Sequence, residues 1–338
     1  MAISEQDWEH LAADQHAAGI TVRRIHPESA HDMFIAIRHP DGCRMVTVRI
    51  GARDADDALR RLRVLPRTRG IEMQLAQLAN HDSELRVVLT DNSLREVFNP
   101  LADDIAATVG AAPSGSEAVL AAVSRFEHWR LMLERLADSG LPPEARRGLF
   151  GELTILRDHL LTALPAAEAV GAWTGPTAAN QDFQLADAAI EVKTSSGKEP
   201  QTLVIASERE LDGRGTGTLM LAHLSLDERR GGNGESLNTA IDGTRALVTD
   251  AVASALLDDL LVRAGYLSQQ RELYDEPRYS VRIQRFWRVT GDFPRITEAD
   301  LRAGVGDCHY RISTVGLEPY LMTTDQVVAV VAGGTPDE

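Results

Sequence analysis

The sequence is poor in lysine and has no basic excess, which excludes one class of protein from the start. Only two of its 35 basic residues are lysines, Lys193 and Lys198, and the formal net charge is −15. Proteins that coat nucleic acid unaided carry a strong basic excess, because phosphate neutralisation supplies most of their affinity. The chain is therefore not expected to bind nucleic acid over its whole surface. A local basic groove, bound metal ions or a basic partner could still allow it to act on nucleic acid.

Cysteine and long apolar runs are equally scarce. Two cysteines, Cys43 and Cys308, are too few for a disulfide framework and suit a reducing cytosol. The N-terminal residues are acidic and lack an apolar core, so we expect no signal peptide. Two aspartates interrupt the richest apolar stretch, residues 251–261, and no run approaches the roughly 18 apolar residues that span a membrane. These absences predict a cytoplasmic protein without a membrane segment.

The rarity of lysine makes the two remaining lysines informative. A strong preference for arginine is typical of codon usage in a GC-rich genome, in which lysine persists where arginine would not serve. Lysine is a compact charge whose pKa can be shifted, whereas arginine is a rigid fork that stays protonated. Lys193 and Lys198 are therefore candidates for special positions, with drift as the alternative explanation.

The pattern along the chain predicts an N-terminal α+β domain over residues 1–112. A chain of 338 residues favours two or three domains. Alternation and turn residues predict the following helices and strands: helices at 4–18 and 93–109, and strands at 20–25, 33–37, 45–50 and 85–89. The Gly- and Ser-rich segment 110–116 is the best linker in the sequence.

The rest of the chain is divided into a core at residues 116–235 and a C-terminal α+β region at 236–338. The predicted helices lie at 117–137, from Pro142-Pro143 to about Leu161, and at 237–264. The predicted strands lie at 181–185, 188–194, 202–207, 218–224, 279–283, 286–289 and 310–315. The glycine-rich segments 213–217 and 231–234 lack the Gly-Lys-Ser/Thr core of a phosphate-binding loop and are predicted to be turns.

A hairpin in the predicted core brings three charged residues together. If the chain turns at Ala186-Asp187, Asp182 lies directly opposite Glu191, with Cβ atoms roughly 5 Å apart. Because side chains alternate along a strand, Lys193 shares the face of Glu191. Ala-Asp is not a preferred hairpin dipeptide, so Asp187 is an alternative to Asp182 if the register is shifted.

Two opposed carboxylates repel each other unless a cation lies between them. Magnesium typically takes one or two carboxylates together with water and substrate phosphate. Lys193 would then orient a water molecule or stabilise the charge that develops on a phosphate. The pattern therefore favours a metal-dependent phosphodiester hydrolase.

Glu152 on the preceding helix is a fourth candidate. Its helical neighbours are apolar, and a carboxylate at the edge of an apolar face is costly without a partner. Gly148 and Gly151 leave room for another element to approach closely, although each weakens the helix. Glu152 is therefore predicted to point at the metal, and a buried pair with an arginine such as Arg146 is the alternative.

Several segments resemble a prokaryotic PD-(D/E)XK family over most of the chain. They are Gly-Leu-Phe-Gly-Glu-Leu at 148–153, Ala-Trp-Thr-Gly-Pro at 172–176, Gln-Asp-Phe at 181–183, Glu-Val-Lys-Thr-Ser at 191–195 and Asp-Phe-Pro-Arg at 292–295. The resemblance implies an α/β (α+β), restriction-endonuclease-like core, in which helices flank a central mixed sheet. It also implies an endonuclease that hydrolyses DNA with Mg²⁺, for which Mn²⁺ substitutes.

The resemblance assigns roles to individual residues. It implies that Asp182 and Glu191 bind the metal together with Val192 and Glu152, and that Lys193 is the catalytic lysine. The segment 205–211 also matches, but the family pattern has glutamine where this chain has Glu210, so Glu210 is left out of the predicted site.

The resemblance also implies a cellular setting, namely prokaryotic defence against foreign DNA. The expected partners are DNA, a GHKL-type ATPase, a Z1-type helicase-like ATPase and a DNA methyltransferase, and a homodimer is left open. The alternative hypothesis is a catalytically silent scaffold or targeting subunit with the same fold. Other metal-dependent phosphoesterases, including RNases, could use the same residues.

Overall fold

The computed structural model describes residues 3–13, 18–62, 65–68, 70–79, 81–136, 140–177 and 179–334. The chain forms two compact units, Met1–Ser139 and Gly140–Glu338. The first unit thus extends past the predicted boundary near residue 112. The division into three domains stays a prediction.

The first unit contains an antiparallel five-stranded sheet and four described helices. The strands are β1 (Gly19–Ile25), β2 (Met33–His39), β3 (Cys43–Ile50), β4 (Ile71–Gln77) and β5 (Ser83–Leu89), in the order β1-β2-β3-β5-β4. The helices are α1 (Glu5–Ala13), α2 (Ala52–Arg61), α3 (Arg95–Gly110) and α4 (Gly115–Leu136). Strand β3 is buried at seven of its eight positions, which include the polar residues Arg44 and Thr47.

All four strands predicted for this unit are observed, as are the helices near 93–109 and 117–137. Helix α1 ends at Ala13; residues 14–17 of its predicted span lie outside the described residues, and Ala18 is not helical. The predicted linker is a short connection between α3 and α4, which pack against each other. Helix α2 and strand β4 had not been predicted.

The second unit contains a mixed five-stranded sheet and a two-stranded sheet. Its strands are β6 (Phe183–Gln184), β7 (Ala188–Ser195), β8 (Thr202–Ile205), β9 (Thr218–Arg229), β10 (Glu235–Ser236), β11 (Arg278–Arg288) and β12 (Tyr310–Ser313). The larger sheet has the order β10-β11-β9-β7-β6, and β8 pairs with β12. Only β7 and β9 pair in parallel within the larger sheet as described; its other pairs are antiparallel.

The helices of the second unit include one that packs directly on a strand of the mixed sheet. They are α5 (Pro143–Ile155), α6 (Leu161–Ala163), α7 (Ala166–Gly171), α8 (Leu237–Leu247), α9 (Ala251–Arg263) and α10 (Thr324–Val331). A π-helical turn at Leu156–Leu160 joins α5 to α6, so the predicted helix to Leu161 is observed with one irregular turn. Helix α5 packs on β7.

Two predictions for the second unit were wrong in detail. The single helix predicted at 237–264 is broken at residues 248–250, because the Asp250 side chain caps α9 by accepting from the Ala253 amide at 2.8 Å. The two strands predicted at 279–289 form one strand, β11, with an irregularity between Val281 and Ile283. A bulge of this kind interrupts the side-chain alternation without ending the strand.

The architecture confirms the predicted fold class. The second unit has a mixed sheet with helices packed on it, consistent with an α+β restriction-endonuclease-like fold, and the first unit is α+β. No helix among the described residues has the length and apolarity needed to cross a membrane.

Candidate active site

The hairpin of β6 and β7 has the predicted register. Phe183 pairs with Ile190 and Gln184 with Ala189, and the Leu185 amide donates to the Ala188 carbonyl at 2.7 Å across the two-residue turn. The next position along each strand places Asp182 opposite Glu191. The Asp182 Oδ2 atom accepts from the Val192 amide at 2.8 Å, which ties the two strands together at this point.

The alternative in which Asp187 replaces Asp182 has no support from this geometry. Asp187 is exposed in the turn, and its carbonyl accepts from the Thr218 amide at 2.9 Å. The side chain of Asp187 therefore belongs to the surface of the hairpin, whereas Asp182 faces Glu191.

Strand β7 carries Glu191 and Lys193 on one face. Its neighbours Ile190 and Val192 are buried, and Glu191 itself is only 3% exposed. Val192 contributes its amide to Asp182, and because its side chain is apolar, only its main-chain carbonyl could serve as a metal ligand. The strand lies between β6 and β9, so its backbone is paired on both sides.

Helix α5 reaches β7 at a glycine. A Cβ atom on Gly151 would overlap Thr194 Cγ2 and lie 3.5 Å from Val192 Cγ1, so glycine is needed for this close approach. The same prediction for Gly148 was wrong, because the one neighbour within 4 Å of its Cβ position is Glu152 Oε1, at 4.0 Å. Gly151 therefore brings Glu152, one residue later, to the face of the sheet.

The Glu152 carboxylate has a tryptophan as its hydrogen-bond donor. Its Oε2 atom accepts from Trp173 Nε1 at 2.7 Å. Burial and the nearby charge of Asp182 raise the pKa of Glu152 to about 8. Arg146, the alternative partner, instead donates to the carbonyls of Leu141 at 2.6 Å and Leu273 at 3.2 Å.

The segment after Trp173 connects Glu152 with Asp182. The Thr174 and Gly175 amides donate to the Asp182 carbonyl at 2.8 and 2.9 Å. A Cβ atom on Gly175 would lie 2.8 Å from Asp182 Oδ1 and 3.1 Å from Glu152 Oε2. The missing side chain of Gly175 thus leaves a small space bordered by two carboxylates.

Lys193 forms two ion pairs. Its Nζ atom lies 2.5 Å from Glu191 Oε1 and 2.7 Å from Glu210 Oε2. Burial opposes the charge of Lys193, but the two carboxylates outweigh it and raise its pKa above the usual value. The two carboxylates therefore hold Lys193 in its protonated form, in which it is a hydrogen-bond donor.

Burial also raises the pKa of the other two acidic residues. The pKa of Asp182 rises to about 6 because of burial, although its bond with the Val192 amide opposes the rise. The pKa of Glu191 lies well above the usual value, because burial and Asp182 outweigh the attraction of Lys193. One lysine therefore does not balance the negative charge of these groups.

The oxygen atoms of the site are of the chemical type that binds a divalent cation. Hard oxygen atoms, an excess of negative charge and the space beside Gly175 are what Mg²⁺ requires, since it binds one or two carboxylates and keeps several waters. Among the residues that the structure describes, however, no three His, Cys, Asp or Glu side chains are arranged around one point as metal ligands. The fit is thus one of ligand chemistry, and the described side chains do not form a preassembled ligand cluster.

Three residues of this site were missed or left out at the sequence level. Glu210 contacts Lys193, and its Oε2 atom also accepts from the Ala206 amide at 3.1 Å. The signal for Glu210 was its place where the family pattern has a polar glutamine. Trp173 and Gly175 lie in a segment that carried the resemblance, but their contacts with Glu152 and Asp182 are long-range and leave no local pattern.

A neutral histidine borders the site on β9. His223 Nε2 lies 2.7 Å from Ser195 Oγ, which donates to Gln201 Oε1 at 2.8 Å, so the histidine donates from Nε2. Its Nδ1 atom is buried without a hydrogen-bond partner in the part of the chain that the structure describes. Burial, assisted by Arg285, lowers the pKa of His223 to about 4. His223 is therefore uncharged at neutral pH.

Comparison with known proteins identifies the family of the chain. Residues 4–314 match the family described as "Putative PD-(D/E)XK family member, (DUF4420)". Neither a search of curated proteins nor a search of solved structures gave a significant match. The match includes all the candidate residues described above and covers nearly the whole chain, and the chain therefore belongs to this PD-(D/E)XK family, which indicates a nuclease.

Proposed function

We propose that the protein is a metal-dependent endonuclease that hydrolyses DNA phosphodiester bonds. The observation that carries the proposal is the convergence of Asp182, Glu191 and a protonated Lys193 on one hairpin, with Glu152 delivered by α5. Family membership supports the nuclease chemistry. The resemblance to restriction-type endonucleases supports DNA as the substrate of this proposal.

Lys193 acts as a fixed positive charge in this proposal. Its two carboxylate neighbours hold it in the protonated form, so it can donate to a phosphate oxygen as negative charge develops there. An arginine would also stay charged, but its planar fork is larger than the ammonium group that fits between Glu191 and Glu210. This accounts for lysine at position 193 in a chain with only one other lysine.

The acidic residues provide the place for a cation. Asp182 and Glu191, with Glu152 and the main-chain carbonyl of Val192, would hold Mg²⁺ or, as a substitute, Mn²⁺. A bound divalent cation supplies Lewis-acid polarisation of the scissile phosphate and acidifies water. Asp182 is oriented for this by the Val192 amide and Glu152 by the Trp173 indole, each of which fixes one oxygen atom.

The decisive experiment is plasmid nicking with a matched pair of lysine variants. Wild-type protein is incubated with supercoiled plasmid in Mg²⁺ or Mn²⁺, with EDTA as the metal-free control. We expect Lys193→Ala to lower cleavage by about 10²- to 10³-fold, the typical cost of removing one donor to a developing negative charge. Lys198→Ala is the control, because Lys198 is the only other lysine and is exposed.

The outcomes separate a nuclease from an inert fold. Metal-dependent nicking that Lys193→Ala loses and Lys198→Ala retains would support the proposal. Equal activity of the two variants would contradict the role of Lys193. Absence of cleavage by the wild type, together with no metal binding in calorimetry, would contradict the proposal as a whole.

The second candidate is a catalytically silent scaffold or targeting subunit with the same fold. Two observations favour it. Among the described residues no three metal ligands converge, and Lys193 is already engaged in an ion pair with Glu210. Calorimetry with Mg²⁺ distinguishes the two candidates, because a scaffold has no need to retain metal affinity.

We also propose a setting for the nuclease, as a cytoplasmic subunit of a multi-component system of defence against foreign DNA. The net charge of −15 supports dependence on partners that engage DNA, namely the GHKL-type and Z1-type ATPases and the DNA methyltransferase. Nicking by the purified chain that added partners do not increase would contradict this part of the proposal.

A further inference from the structure

A cleft lies beside the C-terminal end of the catalytic strand. Its volume is about 410 Å³, and Ser196, the residue after β7, is part of its wall. Arg146 at the start of α5 lines another part. None of the four proposed catalytic residues lines the cleft, so it is a separate place on the same two elements.

Two arginine segments that are distant in sequence meet at this cleft. Arg146 comes from α5, whereas Arg229 and Arg230 come from the end of β9 and the residue that follows it. The Arg146 guanidinium is positioned by the carbonyls of Leu141 and Leu273. Arg230 is exposed and, within the described residues, makes no side-chain hydrogen bond or ion pair. The sequence alone gives no reason for these arginines to converge.

The acidic residues of the cleft already have partners. Asp227 Oδ2 lies 2.7 Å from Arg229 Nε, and Glu228 Oε2 lies 3.2 Å from Nη1 of Arg147, the neighbour of Arg146. The lining thus contains three arginines and two carboxylates, a local positive excess in a chain with a net charge of −15. Arg230 forms no ion pair with either of these carboxylates.

A buried hydroxyl group points to a ligand at the same place. Tyr279 lines the cleft, is only 2% exposed, and its hydroxyl has no hydrogen-bond partner within the described residues. Buried polar groups without a hydrogen-bond partner are uncommon, because their lost hydration is not replaced. A ligand with acceptor oxygens would satisfy the Tyr279 hydroxyl and pair with Arg230.

We propose that this cleft binds a backbone phosphate of the nucleic-acid substrate, a few nucleotides from the bond that is cut. The inference rests on the proposed function. Ser196 follows Lys193 by three strand residues, about 10 Å, and one DNA strand has a phosphate every 3.4 Å or so of helix axis. A strand whose scissile phosphate lies at Lys193 can therefore reach the cleft.

The test measures DNA binding separately from cleavage. A fluorescein-labelled duplex is titrated into full-length Lys193→Ala protein with Mg²⁺ at several salt concentrations, and anisotropy gives the affinity. We expect a further Arg230→Ala change to reduce the salt slope by about 1 and the affinity by about eightfold at about 0.1 M salt. Arg311→Ala is the matched control, since Arg311 on β12 is also exposed and without a side-chain partner in the described part of the chain.

Tyr279→Phe provides a second, independent variant. We expect its affinity to fall by about fivefold, with a melting temperature that is unchanged or higher, because the lost hydroxyl has no partner in the free protein. Equal affinities and salt slopes for the Arg230→Ala and Arg311→Ala proteins would overturn the inference. An Arg230-dependent rise in melting temperature with inorganic phosphate, without any effect on duplex binding, would overturn it as well.

This experiment and the nicking assay can fail independently. A wild type that neither cleaves nor binds metal, but binds DNA through Arg230, would contradict the proposed function and leave the cleft as a nucleic-acid site. Metal-dependent cleavage with DNA affinity that is insensitive to Arg230 and Tyr279 would do the reverse.

Discussion

Two carboxylates of this protein accept a hydrogen bond from a tryptophan, yet their electrostatic surroundings are opposite. In the first unit, Asp104 Oδ2 accepts from Trp129 Nε1 at 2.7 Å and also forms an ion pair with Arg125. In the second unit, Glu152 Oε2 accepts from Trp173 Nε1 at 2.7 Å, but its carboxylate neighbour is Asp182. One site balances its charge internally and the other does not.

The difference separates a structural carboxylate from a functional one. An arginine beside a partly buried carboxylate neutralises it, so nothing further is required from solvent or ligand. The group around Glu152 has an unbalanced negative charge, which raises the free energy of the metal-free fold and is relieved by protonation or by a cation. Electrostatic destabilisation of this kind is expected at a functional site, where activity requires it.

The test with the largest expected effect replaces one carboxylate in each unit. Asp182→Asn removes an unbalanced charge, so we expect cleavage to fall by about 10³-fold while the metal-free protein gains about 2 kcal/mol in its free energy of unfolding at pH 7. Asparagine can still accept from the Val192 amide. Denaturant unfolding in EDTA and in Mg²⁺ measures both states, and Mg²⁺ should stabilise only the wild type.

The matched variant in the first unit should have the opposite sign. Asp104→Asn leaves Arg125 without its counter-charge and should lower the free energy of unfolding by about 1–3 kcal/mol. Stabilisation by Asp104→Asn, or destabilisation of the metal-free protein by Asp182→Asn, would contradict the distinction between the two carboxylates.

A second test separates packing from charge in the same site. Gly151→Ala places a methyl group into Thr194, so we expect a loss of about 3 kcal/mol in the free energy of unfolding and weaker cleavage. Gly148→Ala is the control on the same helix, where the space is open, and it should stabilise the protein by about 0.5–1 kcal/mol. Chemical denaturation of both variants measures the difference, and equal effects would contradict the close approach of α5 to β7.

The smallest effect concerns His223, a buried group that is neutral. Its folded-state pKa of about 4 lies below the ordinary value of 6.5, so the unfolded chain binds more protons as the pH falls. The stability that this residue contributes is present above pH 6.5 and is lost towards pH 4, by about 2 kcal/mol between pH 7 and pH 5.

A variant isolates this contribution from other groups that titrate in acid. His223→Gln retains a donor for Ser195 but does not titrate, so its stability should fall less than that of the wild type between pH 7 and pH 5. Urea unfolding of both proteins at the two pH values measures the difference. Parallel loss of stability in the two proteins would show that His223 becomes protonated without cost.

Regular alternation made most of this fold predictable. The strands around Met45 and Val87 and the register at Asp182 follow from apolar periodicity and a short turn, which are local properties. Helix α2 gave a signal without large apolar side chains, because Ala55 and Ala58 are its buried residues, although they recur at helical spacing among charged residues. Strand β4 did alternate, with Ile71 and Met73 buried, and could have been predicted from its pattern.

Only the site residues that lie on one hairpin and one helix could be predicted from the sequence. Asp182, Glu191 and Lys193 lie within twelve residues, so their relation could be derived from strand geometry. The contacts of Trp173 with Glu152 and of Glu210 with Lys193 join separate elements, and no local spacing encodes them. The meeting of Arg146 with Arg229 and Arg230 also joins separate elements, and no local spacing encodes it.

The two-residue turn at Ala186-Asp187 makes chain length a functional property of this hairpin. Because side chains alternate, one extra residue there would move the pairing by one position and turn Asp182 away from Glu191. A sequence with every catalytic residue intact would then be inactive. Among natural variants of this chain, insertions and deletions in the turn should thus be as rare as substitutions at Lys193.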